Sequence, residues 1–482
     1  MNFLDPILFQ CRLNAPALAI GAPGEALDLV SYGRLERFIH NASRVAHRVG
    51  LERGQTVAIR IADNVLHAAI ILGLARLGVV TVSAYGRMPE ELRIDAVIAD
   101  EASGQNGRSV IRADTTWIEG DGSPIEDSRL YQGGGGDLCR IILTSGTTGE
   151  PKAIGLTHDQ IAARTSRLQF ACGNRFQFCS RLFCDLGLPS SPAFRYMISM
   201  LSRGGTILFS GDPHATMQAF DLYKVQSFAA APSGLAEYLK VFEAYDSFQC
   251  GFDHIITTGG MMPKSLADRV RSRMCSNLFA SYGATETGPV AVASAQALAS
   301  IPGAVGFVLP DCAVEIVDDK GHPLPPGEKG IVRIRGPHNA QEYLGDPVES
   351  ARTFRDGYFH PGDIGYLSSD RLLVISGREK SVLNIGGNKI SPETIEAVIA
   401  SFRGVDQAAV FSEQDEIGVD QICAVIVSNA GFDEQLLRTH CEQRLAADFV
   451  PARFVRSGEL PRNEQGKLIR GQLAEAAGPR MT

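Results

Sequence analysis

The stretch that most constrains this chain is Leu143-Thr-Ser-Gly-Thr-Thr-Gly-Glu-Pro-Lys152, a run of hydroxyls and glycines that follows the apolar Ile141 and Ile142 and ends on a lysine. The apolar residues read as a strand and the polar ones as a loop at its end. Gly146 and Gly149 lack side chains and accept backbone angles that other residues resist, so amide N–H groups can turn inward as an anion nest. Thr144, Ser145, Thr147 and Thr148 add hydroxyl donors, and Lys152 adds a mobile positive charge. Such a loop suits phosphate. The P-loop pattern G-x-x-x-x-G-K-[ST] does not fit, because Pro151 stands five after Gly146 and no Ser or Thr follows the lysine. Taken alone, the stretch also fits a solvated Gly/Thr turn between strand and helix.

The 482 residues are too many for one core and point to about three domains or subdomains at ~150 residues each. A hydrophobic content of 44% with 21% charged residues is that of a globular protein. The net charge of −8 gives no whole-chain footprint for nucleic acid or an anionic membrane. The ten cysteines are scattered, with no C-x-x-C and no zinc-like Cys/His spacing, which points to reduced, buried thiols and a cytoplasmic location. Asp5 and Arg12 interrupt the N-terminal apolar residues before a signal-peptide core can form. The longest uncharged run, residues 287–310, could span a bilayer in length but is full of Ala, Ser, Gly and Pro. It reads as loops and strands near a site, so no integral membrane segment is expected.

Apolar residues recur at helical spacing from Ser31 to Val49 and from His67 to Leu77, with the strand Thr56-Val-Ala-Ile-Arg60 between them and Val79-Val-Thr-Val-Ser83 after. That alternation argues for an open α/β sheet. Gly133 to Gly136 reads as a flexible connector without chemistry. Thr157 and Gln160 stand at capping-box spacing and open a helix from Asp159 to about Phe170. Further strands are expected at Thr206–Phe209, Ser227–Ala230 and Ile255–Thr258, the last ending on Gly259-Gly260. From about residue 302 to 345 the texture turns all-β, with short alternating strands such as Val314-Glu-Ile-Val317 and Ile331-Val-Arg-Ile-Arg335. The last hundred residues read as a small α+β unit starting near Lys380, with a helix from Pro392, a strand near Val425 and a helix from Asp433 to about Leu445.

Four blocks in order, the opening stretch, Ser281-Tyr-Gly-Ala-Thr-Glu-Thr-Gly288, Gly362-Asp-Ile-Gly365 through Gly377-Arg-Glu-Lys380, and Pro461-Arg-Asn-Glu-Gln-Gly-Lys467, resemble the adenylate-forming superfamily of acyl-CoA synthetases, peptide-synthetase adenylation domains and beetle luciferases. The resemblance covers essentially the whole chain. It implies a multidomain α/β fold: a large N-terminal AMP-binding domain, residues 1–379, of two α/β subdomains plus a distorted β-barrel, and a small mobile α+β C-terminal domain, residues 380–482. It implies a reaction with ATP and magnesium, in which a small-molecule carboxylic acid attacks the α-phosphate, pyrophosphate leaves, and a thiol, CoA or a phosphopantetheinyl carrier protein, captures the acyl group.

By that resemblance the opening loop, with Lys152, embraces the β- and γ-phosphates. Ser281, Tyr282 and Gly283 border the nucleotide, Tyr282 offering a face for adenine, and Gly259, Gly260 and Met261 pass close to the base and acyl group. Thr285 donates to the α-phosphate and Glu286 is the magnesium ligand, an oxygen donor that a hard cation favours. Asp363 accepts both ribose hydroxyls, a task for a carboxylate, and Arg378 reaches the same ribose. Lys467 bridges the substrate carboxylate and the α-phosphate, where negative charge develops. Lys380 is the hinge about which the small domain swings, withdrawing Lys467 and bringing Gly386 and Gly387 to the thiol tunnel.

One segment departs from the family. Many acyl-CoA synthetases carry an aromatic-His pair where this chain has residues 183–192, and no His lies between His158 and His214. Cys184 or a residue near Pro189 takes that position, depending on where a gap is placed, which leaves the acid open. Small residues at Ala229, Ala230, Gly259, Gly260 and Gly283 suggest a roomy pocket. Asp185 and Arg195 match no motif and read as structural. Three functions follow from the pattern: an acid–CoA ligase, favoured because no carrier module follows Lys467; a free-standing adenylation enzyme that loads a carrier protein and uses Asp185 to hold a substrate amine; and a nucleotide-binding protein without ligase turnover.

Overall fold

The computed structural model describes residues 2–23, 29–84, 88–100, 110–120, 123, 130–131, 133–145, 151–171, 179–209, 213–244, 251–260, 262–294, 297, 301, 303–378, 383–385, 388–414, 420–428, 433–463, 466 and 468–478. Among these, a first sheet of six strands runs in the order Val110–Arg112, Ala96–Ala99, Thr56–Arg60, Val80–Ser83, Leu138–Ser145, Pro151–Thr157. Its pairs are parallel except the last, which is antiparallel with Thr144 opposite Lys152 and Ser145 opposite Pro151. Helix Asn64–Arg76 is buried on every face, as fits a helix sandwiched in an α/β layer.

The antiparallel pair changes the reading of the opening stretch. The chain does not pass from strand to helix there. It folds back as a hairpin whose second leg starts on Pro151, an allowed place for proline in a sheet. Ala153, Ile154 and Leu156 of that leg are buried. Only then does helix His158–Ala171 begin, and its capping box is complete: Gln160 N donates to Thr157 Oγ1 at 3.2 Å and Thr157 N to Gln160 Oε1 at 3.0 Å. Gly133 to Gly136 is not a loose connector. The Gly135 carbonyl accepts from Asp159 N at 2.8 Å, and a Cβ on Gly135 would meet Asp159 Oδ1 at 1.9 Å.

A second sheet begins as parallel α/β structure, with Leu278–Ala284, His254–Thr258, Ser227–Ala230, Arg181–Cys184, Thr206–Phe209 and Leu18–Gly21 side by side. Beyond Leu278–Ala284 every pairing is antiparallel, through Gly288–Ser294, Ala304–Val308, Leu372–Arg378, Asp363–Leu367 and Gly330–Arg335. The expected β-barrel is therefore hydrogen-bonded to the second α/β subdomain as one continuous sheet, and the seam is the hairpin of Leu278–Ala284 with Gly288–Ser294. The long uncharged run, residues 287–310, supplies the first two strands on the antiparallel side of that seam, Gly288–Ser294 and Ala304–Val308. Among the described residues no helix is long and apolar enough to cross a membrane.

From Leu383 onward the described residues build cores of their own, one around Ile395, Ile399, Ile422 and Leu437 and another around Cys423, Val425 and Leu473. Helices Pro392–Ala400 and Glu434–Glu442 lie where the sequence places them, capped by Ser391 and Asp433. The sheet has strands Val405–Gln414 and Arg453–Arg456 beside Asp420–Ser428, where periodicity had offered one strand.

Candidate active site

The seam hairpin closes in a tight turn. Ala284 N donates to Thr287 Oγ1 at 3.2 Å, and Thr287 N returns a bond to the Ala284 carbonyl at 3.3 Å. Gly288 takes a φ of +71°, and a Cβ on Gly283 would lie 2.2 Å from the Gly288 carbonyl oxygen, so the turn closes only with glycine at both places. Thr285 and Glu286 occupy it. Two buried arginines of helix His158–Ala171 grip its backbone from behind. Arg164 donates to the carbonyls of Thr285 at 2.7 Å, Glu286 at 2.8 Å and His338 at 2.8 Å, and Arg167 to those of Thr287 and Pro289 at 3.2 Å. Such charge-assisted bonds are stronger than neutral ones. Burial and the nearby Arg195 and Arg167 lower the Arg164 pKa to about 9, while Asp311 balances Arg167 at 2.8 Å.

Glu286 is itself 7% exposed, and its Oε1 accepts the Tyr343 hydroxyl at 2.8 Å. The Lys152 ammonium sits 4.8 Å from the centre of the Tyr343 ring and 2.5 Å from Glu349 Oε1. Expected as a mobile charge, Lys152 is here held by an acid far away in sequence, because its strand runs antiparallel to Leu138–Ser145 and lies beside residues 343–349. Leu344 N secures that neighbourhood with a bond to the Ala153 carbonyl at 2.9 Å.

On the other side of the seam, Asp363 opens strand Asp363–Leu367 directly opposite Arg378. The carboxylate is 2% exposed; Oδ1 lies 2.8 Å from Arg378 Nε, and Oδ2 accepts the hydroxyl of Tyr282. Burial and the Asp363 charge raise the Tyr282 pKa well above that of a free phenol, so the hydroxyl remains a donor. Arg378 also donates to the Pro361 carbonyl at 2.7 Å, which fixes the turn ahead of the strand.

Thr258, the last residue of its strand, donates to the Ser281 carbonyl at 3.1 Å, and Gly259 and Gly260 follow it into solvent, Gly259 at a φ of +87°. A Cβ on Gly260 would pass 3.5 Å from Pro232. At the start of helix Pro232–Ala244, a Cβ on Gly234 would meet Asp185 Oδ2 at 2.1 Å, and Ser233 Oγ lies where a Cβ on Gly466 would come to 2.4 Å. The residue before Lys467 thus rests against the large domain beside this rim. Cys184 is fully buried, its thiol donating to the Leu186 carbonyl at 3.7 Å, and burial pushes its pKa up to about 12. The eight described cysteines are all buried. Arg195 is 8% exposed, over the Tyr196 ring at 5.6 Å.

The AMP-binding enzyme family matches residues 14–344, and its C-terminal domain matches residues 394–467. The chain belongs to the AMP-binding enzyme family. Its relatives include a long-chain-fatty-acid–CoA ligase of Mycobacterium tuberculosis, 27% identical over 92% of this chain and 93% of that protein. A feruloyl-CoA synthase of Amycolatopsis is 26% identical over 97% of this chain and 98% of its own. The fold is that of the o-succinylbenzoate coenzyme A synthetase of Bacillus subtilis solved in complex with AMP, with a TM-score of 0.84, 22% identity and 99% of both chains covered.

In this AMP-binding enzyme the geometry brings Ser281, Tyr282, Gly283, Thr285 and Glu286 onto one hairpin, with Asp363 and Arg378 joined through Tyr282 and Lys152 through Tyr343. Thr144 and the backbone of Ser145 end the first leg of the hairpin formed with Pro151–Thr157. Gly146, Thr147, Thr148, Gly149, Met261, Lys380, Gly386, Gly387 and Lys467 lie outside the described residues. Among the described residues no cluster of three or more His, Cys, Asp or Glu is set to hold a metal unaided. Glu286 with phosphate oxygens of a bound nucleotide is the kind of donor set magnesium takes, so the residues fit that ion. The sequence reading missed Arg164, Tyr343 and Glu349. A signal existed for Arg164, which shares a helical face with the buried Ile161 and Thr165; Tyr343 and Glu349 act through contacts remote in sequence.

Proposed function

We propose that this protein is an ATP-dependent, AMP-forming acid–CoA ligase acting on a small-molecule carboxylic acid. A carboxylate oxygen attacks the α-phosphorus and pyrophosphate leaves; the CoA sulfur then attacks the acyl carbon and AMP leaves. The observation that carries the reading is the seam itself: Thr285 and Glu286 sit on a turn continuous with Tyr282, whose hydroxyl is bonded to Asp363.

Each group has a task in that scheme. Asp363 receives the ribose hydroxyls with Arg378 at its side, and Thr285 donates to the α-phosphate. Gly146, Thr147, Thr148 and Gly149 cradle the outgoing pyrophosphate with Thr144, Ser145 and Lys152. A magnesium ion on Glu286 would neutralise phosphate charge. Lys467 comes from the small domain, residues 380–482, and pairs with negative charge as it develops. The seat of Gly466 on Ser233 supports its arrival at this rim. Rotation about Lys380 then exchanges Lys467 for Gly386 and Gly387, beside which the pantetheine arm passes. The ligase character of the relatives supports CoA as the acceptor.

Pyrophosphate exchange and thioester formation over aliphatic, aromatic and amino acids, with and without CoA, test the proposal; adenylate formation with no CoA-dependent thioester would overturn its second half. Carrier-protein loading of an amino acid is the second reading, favoured by the carboxylate of Asp185 placed against Gly234 at the same rim. It requires preference for an amino acid over its deaminated analogue, lost in Asp185→Ala.

A further inference from the structure

Tyr343 stands between two groups that handle the triphosphate. Its hydroxyl bonds Glu286 Oε1 at 2.8 Å, and its ring faces the Lys152 ammonium at 4.8 Å. The residue is 4% exposed and anchored on three sides. Its backbone N–H donates to Ser350 Oγ at 2.8 Å, its carbonyl accepts from the same hydroxyl at 3.2 Å, and its ring packs on Phe354 at 5.1 Å. The neighbouring Leu344 ties it to strand Pro151–Thr157 through the Ala153 carbonyl.

A carboxylate that ligates a cation works best when one oxygen is held by an outer partner and the other is aimed. Tyr343 takes Oε1 and so fixes how the carboxylate stands in the turn. The same ring, with Glu349 at 2.5 Å from Lys152 Nζ, sets where the lysine stands relative to that carboxylate. We propose that Tyr343 is a positioning residue for the magnesium nucleotide, orienting Glu286 through its hydroxyl and registering Lys152 through its ring. The proposal rests on Glu286 being the magnesium ligand.

Tyr343→Phe separates the two roles, since it removes the hydroxyl and keeps the ring. Calorimetric titration of the protein with ATP, once with magnesium and once with a chelator, reads them directly. The expected result is magnesium-ATP affinity lowered about 10-fold, within the range for loss of an outer-shell partner, and metal-free ATP affinity unchanged. Tyr343→Leu, which also removes the ring, is expected to weaken both. Glu286→Gln is the reference and loses the advantage of magnesium-ATP over free ATP. If Glu286→Gln keeps that advantage, the magnesium-ligand reading fails and the proposal falls with it. If Glu286→Gln loses it while Tyr343→Phe keeps the parent's, or weakens both nucleotide forms equally, the proposal alone is overturned. Glu286→Asp, which retracts the carboxylate from the hydroxyl, gives the same comparison should Tyr343→Phe not fold; unchanged magnesium-ATP affinity there is equally fatal.

Discussion

The phenol of Tyr282 and the carboxylate of Asp363 are bonded across the antiparallel half of the second sheet, and Arg378 holds the other carboxylate oxygen at 2.8 Å. This carboxylate is the one proposed to accept the ribose hydroxyls, and its two partners fix where it stands. Tyr282→Phe removes a bond to a charged group, worth roughly 1.5–3 kcal/mol. The KM for ATP in pyrophosphate exchange should rise about 10-fold, the equivalent of ~1.4 kcal/mol, with kcat nearly unchanged. An unaltered KM would show that the bond does not position the ribose acceptor.

Gly283 has no room for a methyl group, since its Cβ would press on the Gly288 backbone at 2.2 Å. Gly283→Ala must displace the turn that carries Thr285 and Glu286. A shift near 1 Å can cost on the order of 10²-fold in rate, so adenylate formation should fall by about that factor while the chain still folds. Activity within 3-fold of the parent would mean that the turn absorbs the methyl without moving the two side chains.

Gly466 combines a φ of +74° with the contact to Ser233 Oγ. Gly466→Ala should obstruct the seating of the Lys467 loop and slow pyrophosphate exchange, while thioester formation from a supplied acyl-adenylate continues. Adding Ser233→Ala removes the obstructing oxygen and should restore part of the first step, the backbone strain remaining. Equal loss in both half-reactions would argue against a pose-specific contact.

His67 is buried beside Arg140, its Nε2 2.7 Å from Ser83 Oγ, and burial lowers its pKa from 6.5 to about 3. Between those values the unfolded chain holds a proton that the folded one refuses, so stability falls as pH drops through that window. His67→Gln should flatten the dependence of the urea midpoint between pH 6.5 and 4, whatever it does to the midpoint at pH 7. A parallel decline in parent and variant would assign the acid sensitivity to other groups.

What the sequence disclosed follows from how local each signal is. The capping box of Thr157 and Gln160, the strands around Ile256 and Ile334 and the helix from Pro392 are written in residues a few positions apart, and they stand as read. The leg Pro151–Thr157 was not legible, because a seven-residue strand containing Pro and Gly is recognisable only by its pairing with Leu138–Ser145. At the site, motif spacing gave Glu286 and Asp363 but not their partners Tyr343 and Tyr282 as partners, since those bonds span 57 and 81 residues. The restraint on Lys152 was invisible for the same reason, its acid lying 197 residues away.

The continuous pairing at the seam has a consequence for how such an enzyme can change. Asp363, Tyr282 and Glu286 hang on one hydrogen-bonded fabric, so their spacing is inherited as a unit. Strand Arg181–Cys184 lies on the parallel side of the same sheet, three strands from Leu278–Ala284, with Asp185 and the start of helix Pro232–Ala244 at its end. An exchange of residues 183–192, three strands away from the seam, is expected to alter which acid is used before it alters the use of ATP.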